Sequence, residues 1–130
     1  MSKQRILIVD DNPMIAKMVG TWLERTGVYE TRRECRPLLA VSAARRFKPD
    51  LVLLDVDMPG MDGSAVAEAI RHDRLLEDTR IVFLTALVAK HEAERGSCGG
   101  AKFIPKPISP AQLIDHVAHA LAEPHEAACR

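Results

Sequence analysis

Five polar side chains stand out because each falls where an apolar run stops. Asp10 and Asp11 follow Ile6 to Val9, Asp55 follows Leu51 to Leu54, Thr85 follows Ile81 to Leu84, and Lys106 lies just beyond Phe103 to Ile104. If those runs are strands of one parallel sheet, all five residues share its carboxyl edge, where open α/β sheets bind ligands at the point of reversal in strand order. Three carboxylates gathered there repel one another, so the cluster calls for a bound positive charge near neutral pH. Carboxylate oxygens without a nearby His or Cys favour a hard cation such as Mg²⁺, which keeps several waters and usually pairs with phosphate oxygens. Lys106, two strand spacings or roughly 10 Å from Asp55, has a stem long enough to reach in. A metal and an ammonium facing one carboxylate suit phosphoryl transfer, where the protein mainly positions the reactants and neutralises the equatorial oxygens. Asp55 is then the nucleophile, since carboxylates form acyl phosphates. Thr85 would give its hydroxyl to a phosphoryl oxygen, and the small Ala86 beside it leaves room for the group to enter. Any one of these residues alone is more often a cap or a solvated group; five of them at four strand ends carry the reading.

The elements that must position them can be read from periodicity. The strand runs are continuous rather than alternating, as expected for strands covered on both faces of a parallel sheet. A further candidate, Tyr29 to Glu34, carries charge along TRRE and reads as an exposed edge. Between the strands lie helical patterns. Ile15, Met18, Val19, Trp22 and Leu23 follow the i, i+3, i+4, i+7, i+8 spacing, with Asp11 or Asn12 as N-cap and Gly27 as a stop. Ala40, Ala43, Ala44 and Phe47 repeat the pattern after Pro37, Val66, Ala69 and Ile70 after Gly63, and Ile114, Val117, Ala118 and Leu121 after Ser109-Pro110. The fourth helix, Lys90 to Arg95, is the weakest, because Gly96, Gly99 and Gly100 follow and each interior glycine costs roughly 1 kcal/mol against alanine; it is expected to be short and mobile. Strand and helix alternate throughout, which with right-handed crossovers gives a doubly wound α/β sheet.

Composition narrows the function classes. The 130 residues suit one domain, expected over 1–123, with a short tail over 124–130. Eighteen Lys and Arg balance eighteen Asp and Glu, which argues against direct nucleic-acid or membrane binding driven by a long-range positive field. The start, MSKQRILIVDD, is neither a signal peptide nor a span. Cys35, Cys98 and Cys129 lack any CxxC pairing and read as reduced thiols. A soluble, cytoplasmic protein is expected. His116 and His119, at i, i+3 on the last helix, could share a metal but read better as a solvated face.

The runs ILIVDD, LVLLDVDMPGMDG, FLTA and FIPKP resemble the response-regulator receiver family of two-component signalling, and the resemblance covers nearly the whole chain. It implies a flavodoxin-like, five-stranded parallel sheet of order 2-1-3-4-5 with five helices. It implies phosphorylation of Asp55, with Mg²⁺ held by Asp11, Asp55 and the backbone carbonyl of Asp57 and with Asp10 acting through water. Thr85 and Lys106 take the roles argued above, and Thr85 and Phe103 match the switch positions. Phe103 stands where the family often has tyrosine, so a switch there works by packing. The implied phosphodonor is a sensor histidine kinase or phosphotransfer protein. The implied output is a downstream protein bound by the fourth helix, fifth strand and fifth helix, the chain itself being a monomer or weak dimer. As a stand-alone receiver the protein catalyses only its own phosphorylation and dephosphorylation.

Two other readings use the same residues. Asp55-Val56-Asp57 also resembles the nucleophile motif of haloacid-dehalogenase-type phosphatases, but those enzymes place it on their first strand and need a further acid motif after the lysine, where only Asp115 and Glu123 stand. A receiver-fold module that binds its partner without phosphorylation is the other, and the intact set Asp10, Asp11, Asp55, Thr85 and Lys106 argues against it.

Overall fold

Leu51–Asp55 is buried at every position, and so are the last four residues of Gln4–Val9. Strands that bury both faces must lie in the middle of a layered structure, and the computed structural model, which describes residues 3–55, 63–85, 101–105 and 109–122, places them there. In chain order the elements are β1 (Gln4–Val9), α1 (Pro13–Glu24), β2 (Tyr29–Glu34), α2 (Ala40–Phe47), β3 (Leu51–Asp55), α3 (Gly63–Arg71), β4 (Arg80–Thr85), β5 (Ala101–Pro105) and α4 (Pro110–Ala122). The five strands form one parallel sheet of order β2-β1-β3-β4-β5. The expected fourth helix, Lys90 to Arg95, lies outside the described residues; the expected fifth is α4.

Alternation along the strands splits the core in two. Leu7, Val9, Val52, Leu54, Ile81 and Phe83 pack with Ala44 and Phe47 of α2 and Val66 and Ile70 of α3. Ile6, Ile8, Leu51, Leu53, Val82 and Leu84 pack with Val19 and Leu23 of α1 and Leu113 and Val117 of α4. Each strand residue therefore feeds one layer or the other, and a slip of one residue would exchange the two sets.

Several expectations sharpen. Asn12, not Asp11, caps α1: its side-chain oxygen accepts from the backbone N–H groups of Met14 and Ile15. The helix ends at Glu24, and Gly27 follows in the turn at φ 81°, a left-handed conformation that suits glycine. Pro37 opens a 3₁₀ turn, Pro37–Leu39, before α2 begins. The buried face of α3 carries Val66, Ala67 and Ile70, with Ala69 exposed. That of α4 centres on Leu113, Val117 and Ala120, leaving Ala118 exposed and Ile114 and Leu121 half-buried. On α1, Met18 is 43% exposed although it sits in the apolar spacing. The fifth strand is longer than Phe103 to Ile104 and takes in Pro105.

At the opposite, amino edge of the sheet, Asp73 caps the 3₁₀ turn Arg74–Leu76 through the N–H of Leu75 at 2.9 Å and binds the Arg45 guanidinium of α2. The Arg45 hydrogen bond, then that of Leu75, holds the Asp73 carboxyl below the usual carboxylate range. A depressed pKa in the folded state stabilises the fold above the ordinary carboxylate pKa and loses that contribution as pH falls through the folded value. Asp73→Asn keeps the capping oxygen and removes the charge. It should lower the urea midpoint at neutral pH, with the difference from wild type closing as pH falls below about 4; a pH-independent difference would trace the effect to the cap instead.

Candidate functional site

The β1–β3 register pairs Val9 with Leu54, so the next residues, Asp10 and Asp55, leave the sheet side by side at its carboxyl edge. This is where the order reverses: the chain goes from β1 outward to β2, then back across to β3 on the other side of β1. Asp10 is 1% and Asp55 2% exposed, and Asp11 is half-buried. The backbone N–H of Asp10 is fixed by the Glu34 carbonyl of β2 at 3.2 Å, and its Oδ1 accepts the N–H of Asn12 at 2.9 Å. The residue that starts α1 thus also orients one acid of the cluster.

One carboxylate oxygen from each of Asp10, Asp11 and Asp55 lies within 4.8 Å of the others. Among the described residues this is the one group of three or more potential metal ligands so close together. The donor set is all oxygen, hard and anionic, as Mg²⁺ prefers. Oxygens sharing an octahedral ion at about 2.1 Å stand about 3 to 4 Å apart, so the cluster is near that spacing already. The residues present fit the ion.

Thr85 is the last residue of β4, one step past the Asp55–Leu84 pair, and registers with Pro105 of β5. The sheet therefore brings Asp10, Asp55 and Thr85 to one edge and ends β5 immediately before position 106. Phe103 lies in β5 opposite Phe83. Lys106 and Asp57 lie outside the described residues. His116 and His119 are exposed on α4, and His119 meets Asp115, through its carbonyl at 2.9 Å and its carboxylate at 3.5 Å. They gather no third ligand among the described residues, and the solvated face is the better account of them.

Sequence reasoning missed the place of Cys35. It follows the last residue of β2, half-buried, close enough to the acids to feel them. Burial pushes the Cys35 thiol up, with Glu34, Asp10 and Asp11 adding to the rise and Arg33 opposing it. Only its position one residue past an expected strand hinted that it would reach the same edge.

A doubly wound parallel sheet with acids at its reversal point is the architecture of flavodoxin-like signalling and nucleotide-binding domains. Comparison with known proteins narrows this: the family model described as the response regulator receiver domain matches residues 6–118, and the chain belongs to that family. It is 34% identical over 113 residues to the polar-differentiation response regulator DivK of Brucella anthropi, covering 86% of this chain and 91% of that protein. The chemotaxis protein CheY4 of Vibrio cholerae superposes with TM-score 0.82 at 28% identity, covering 92% of this chain and 99% of that one. A putative response regulator of Chloroflexus aurantiacus J-10-fl gives 0.82 at 31% identity, covering 94% and 100%. Receiver domains bind Mg²⁺ at an acidic pocket and act in two-component signal transduction, and they are not enzymes in the ordinary sense. Among the described residues no helix is long and apolar enough to cross a membrane.

The field of the cluster can be read through its neighbour. At neutral pH Cys35 should react with iodoacetamide more slowly than a cysteine in an unstructured peptide, because the thiolate is the nucleophile. Asp10→Asn with Asp11→Asn should quicken it, as followed by peptide mapping that separates Cys35 from Cys98 and Cys129. An unchanged rate would mean that the acids do not act on this thiol.

Proposed function

We propose that this protein is a cytoplasmic receiver, its domain spanning 1–123 with 124–130 as a tail, that accepts a phosphoryl group on Asp55 from a phosphohistidine of a sensor kinase or phosphotransfer protein. The observation that carries the reading is the convergence of the Asp10, Asp11 and Asp55 carboxylates at the reversal point of the sheet. A carboxylate oxygen of Asp55 attacks phosphorus and the P–N bond to the donor imidazole breaks. The bonding pair stays on that nitrogen, so the donor histidine is left neutral once its protons re-equilibrate with solvent.

Asp11, Asp55 and the carbonyl of Asp57 would hold Mg²⁺ with Asp10 acting through water; the ion supplies charge neutralisation at the phosphoryl oxygens. Burial of Asp10 and Asp55 keeps their oxygens from wandering, so the nucleophile is positioned before the donor arrives. Thr85, at the end of the neighbouring strand, gives its hydroxyl to one phosphoryl oxygen, and Lys106 brings an ammonium to another. The added charge of about −1.5 to −2 draws Thr85 inward and shifts a pre-existing equilibrium that Phe103 reports by packing. The face affected is formed by the segment Lys90 to Arg95, β5 and α4, where the downstream protein binds a monomeric or weakly dimeric receiver.

Mg²⁺ in hundredfold excess over its dissociation constant should stabilise the fold by about 2.7 kcal/mol, and Asp11→Asn should abolish most of that gain in thermal melts. Intact mass after incubation with acetyl phosphate should show one added phosphoryl group, dependent on Mg²⁺ and absent in Asp55→Ala. Failure of the wild type to gain mass from both acetyl phosphate and a phosphohistidine protein would overturn the reading and leave a module that binds without phosphorylation. Sustained hydrolysis of a generic phosphomonoester would instead mark a phosphatase.

A further inference from the structure

Charge is unevenly spread over a chain whose net charge is zero. Residues 30–48, covering β2 and α2, hold six of the eighteen Lys and Arg but only two of the eighteen Asp and Glu. All six of those cations are exposed. Arg45 is engaged with Asp73. Arg32, Arg33, Arg36, Arg46 and Lys48 form no ion pair among the described residues.

Their placement follows from the edge strand. Arg32 lies on the α2 side, its guanidinium 5.2 Å from the centre of the Phe47 ring; Arg45 and Arg46 leave α2 on opposite flanks of its buried Ala40, Ala44 and Phe47 face, and since Arg45 turns to Asp73, Arg46 takes the flank toward β2. Arg33 lies on the other side, against α1, where a Cβ on Gly20 would stand 3.9 Å from its Cδ. Arg36 extends past the end of the strand. The acids of the strand are already taken: Glu34 accepts the N–H of Arg36 at 3.0 Å, and Glu30 faces Arg5 at 3.9 Å.

β2 is also the end of the sheet. The carbonyls of Val28 and Glu34 bond to Gln4 and Asp10, so by two-residue alternation Thr31 and Arg33 turn their N–H and C=O groups away from β1. The free edge already takes one carboxylate: Glu24, from the end of α1, accepts the Thr31 N–H at 3.4 Å and its hydroxyl at 2.6 Å. Beyond Thr31 the edge at Arg33 is flanked by cations.

We propose that the β2 edge, with Arg33, Arg36 and Arg46, is a docking site for an extended acidic segment of a partner protein, which adds alongside β2 and sets its carboxylates against these side chains. Strand addition uses main-chain hydrogen bonds for affinity and side-chain alternation for choice of partner. A second copy of this chain is disfavoured there, because pairing two β2 edges would bring arginines together. Nucleic acid lacks its usual platform, since the nearby aromatic residues, Phe47 and Tyr29, are each only 5% exposed. The site lies four strand spacings, roughly 19 Å, from β5, so it can be occupied together with the face at the other end of the sheet and does not depend on Asp55 being phosphorylated.

The test is fluorescence anisotropy with a labelled peptide of alternating Glu and Val at physiological ionic strength. The triple variant Arg33→Glu, Arg36→Glu, Arg46→Glu should bind at least about tenfold more weakly, from three exposed charge contacts of modest strength each. The milder Arg33→Gln, Arg36→Gln, Arg46→Gln should fall between it and wild type. A control of equal charge change elsewhere, Lys3→Glu, Arg71→Glu, Arg74→Glu, should bind within a few-fold of wild type, with melting curves confirming that all variants fold. In wild type, hydrogen exchange at the Arg33 amide should slow on binding. The proposal is overturned if the peptide does not bind, if the control loses as much, if the Arg33 amide is unprotected in the complex, or if a single-stranded oligonucleotide binds equally tightly through the same arginines.

Discussion

The register between β1 and β3 is the constraint on which the rest depends. Val9 faces Leu54 because Leu7, Val9, Val52 and Leu54 must all reach the α2–α3 layer while Ile6, Ile8, Leu51 and Leu53 reach the α1–α4 layer. With both faces buried, a slip of one residue would send each set to the wrong layer, and a slip of two would strand apolar residues at one end. Hydrophobic burial thereby fixes, to within one residue, where the first polar residue of each strand emerges. The proximity of Asp10 to Asp55 is a by-product of core packing, and the electrostatic cost of that proximity is carried by a fold stabilised elsewhere.

This explains what was legible beforehand. The strands were readable because two-sided burial writes itself as an unbroken apolar run, and the acids were readable because they interrupt such runs. Helix existence was equally plain, but helix faces were misjudged at Met18, Ala69 and Ala118. Alanine is small enough to sit in either environment, and methionine tolerates exposure, so residue type alone does not settle which side of the stripe they occupy. Asp11 and Asn12 are equivalent as caps by type; the geometry separates them, giving Asn12 to the helix and Asp11 to the acid cluster. The influence of the acids on Cys35 was illegible because it depends on β2 lying beside β1, a fact of topology between segments far apart in sequence.

Charge in the molecule is sorted by position in the sheet. The carboxyl edge at its middle gathers acids whose repulsion a cation can relieve, whereas the β2 side gathers cations around a buried aromatic ring, with Arg5 and Arg32 both near Phe47 at 5.7 and 5.2 Å. Arg5 also donates to the Phe47 carbonyl at 2.9 Å, at the C-terminal end of α2 where cations are favoured. Part of the basic character of this side therefore serves α2 itself. Arg33 and Arg36 have no such role, and Arg46, in the last turn of α2, can serve both the helix and the edge; together they distinguish a recognition surface from a merely solvated one.

The two regions are joined by backbone as well as by field. Glu34, at the end of β2, holds the N–H of Asp10, and Asn12, which starts α1, holds its carboxylate. Anything that rigidifies β2 therefore rigidifies one wall of the acidic site through a single hydrogen bond. Coupling of this kind is reciprocal: a partner on β2 alters ion or phosphoryl affinity only to the extent that those ligands alter its own binding. Because Asp10 is already buried and bonded at both its backbone and its carboxylate, the wall has little freedom left to lose. The physical expectation is weak coupling, with the β2 edge setting where the receiver is held and the carboxyl edge setting what state it is in.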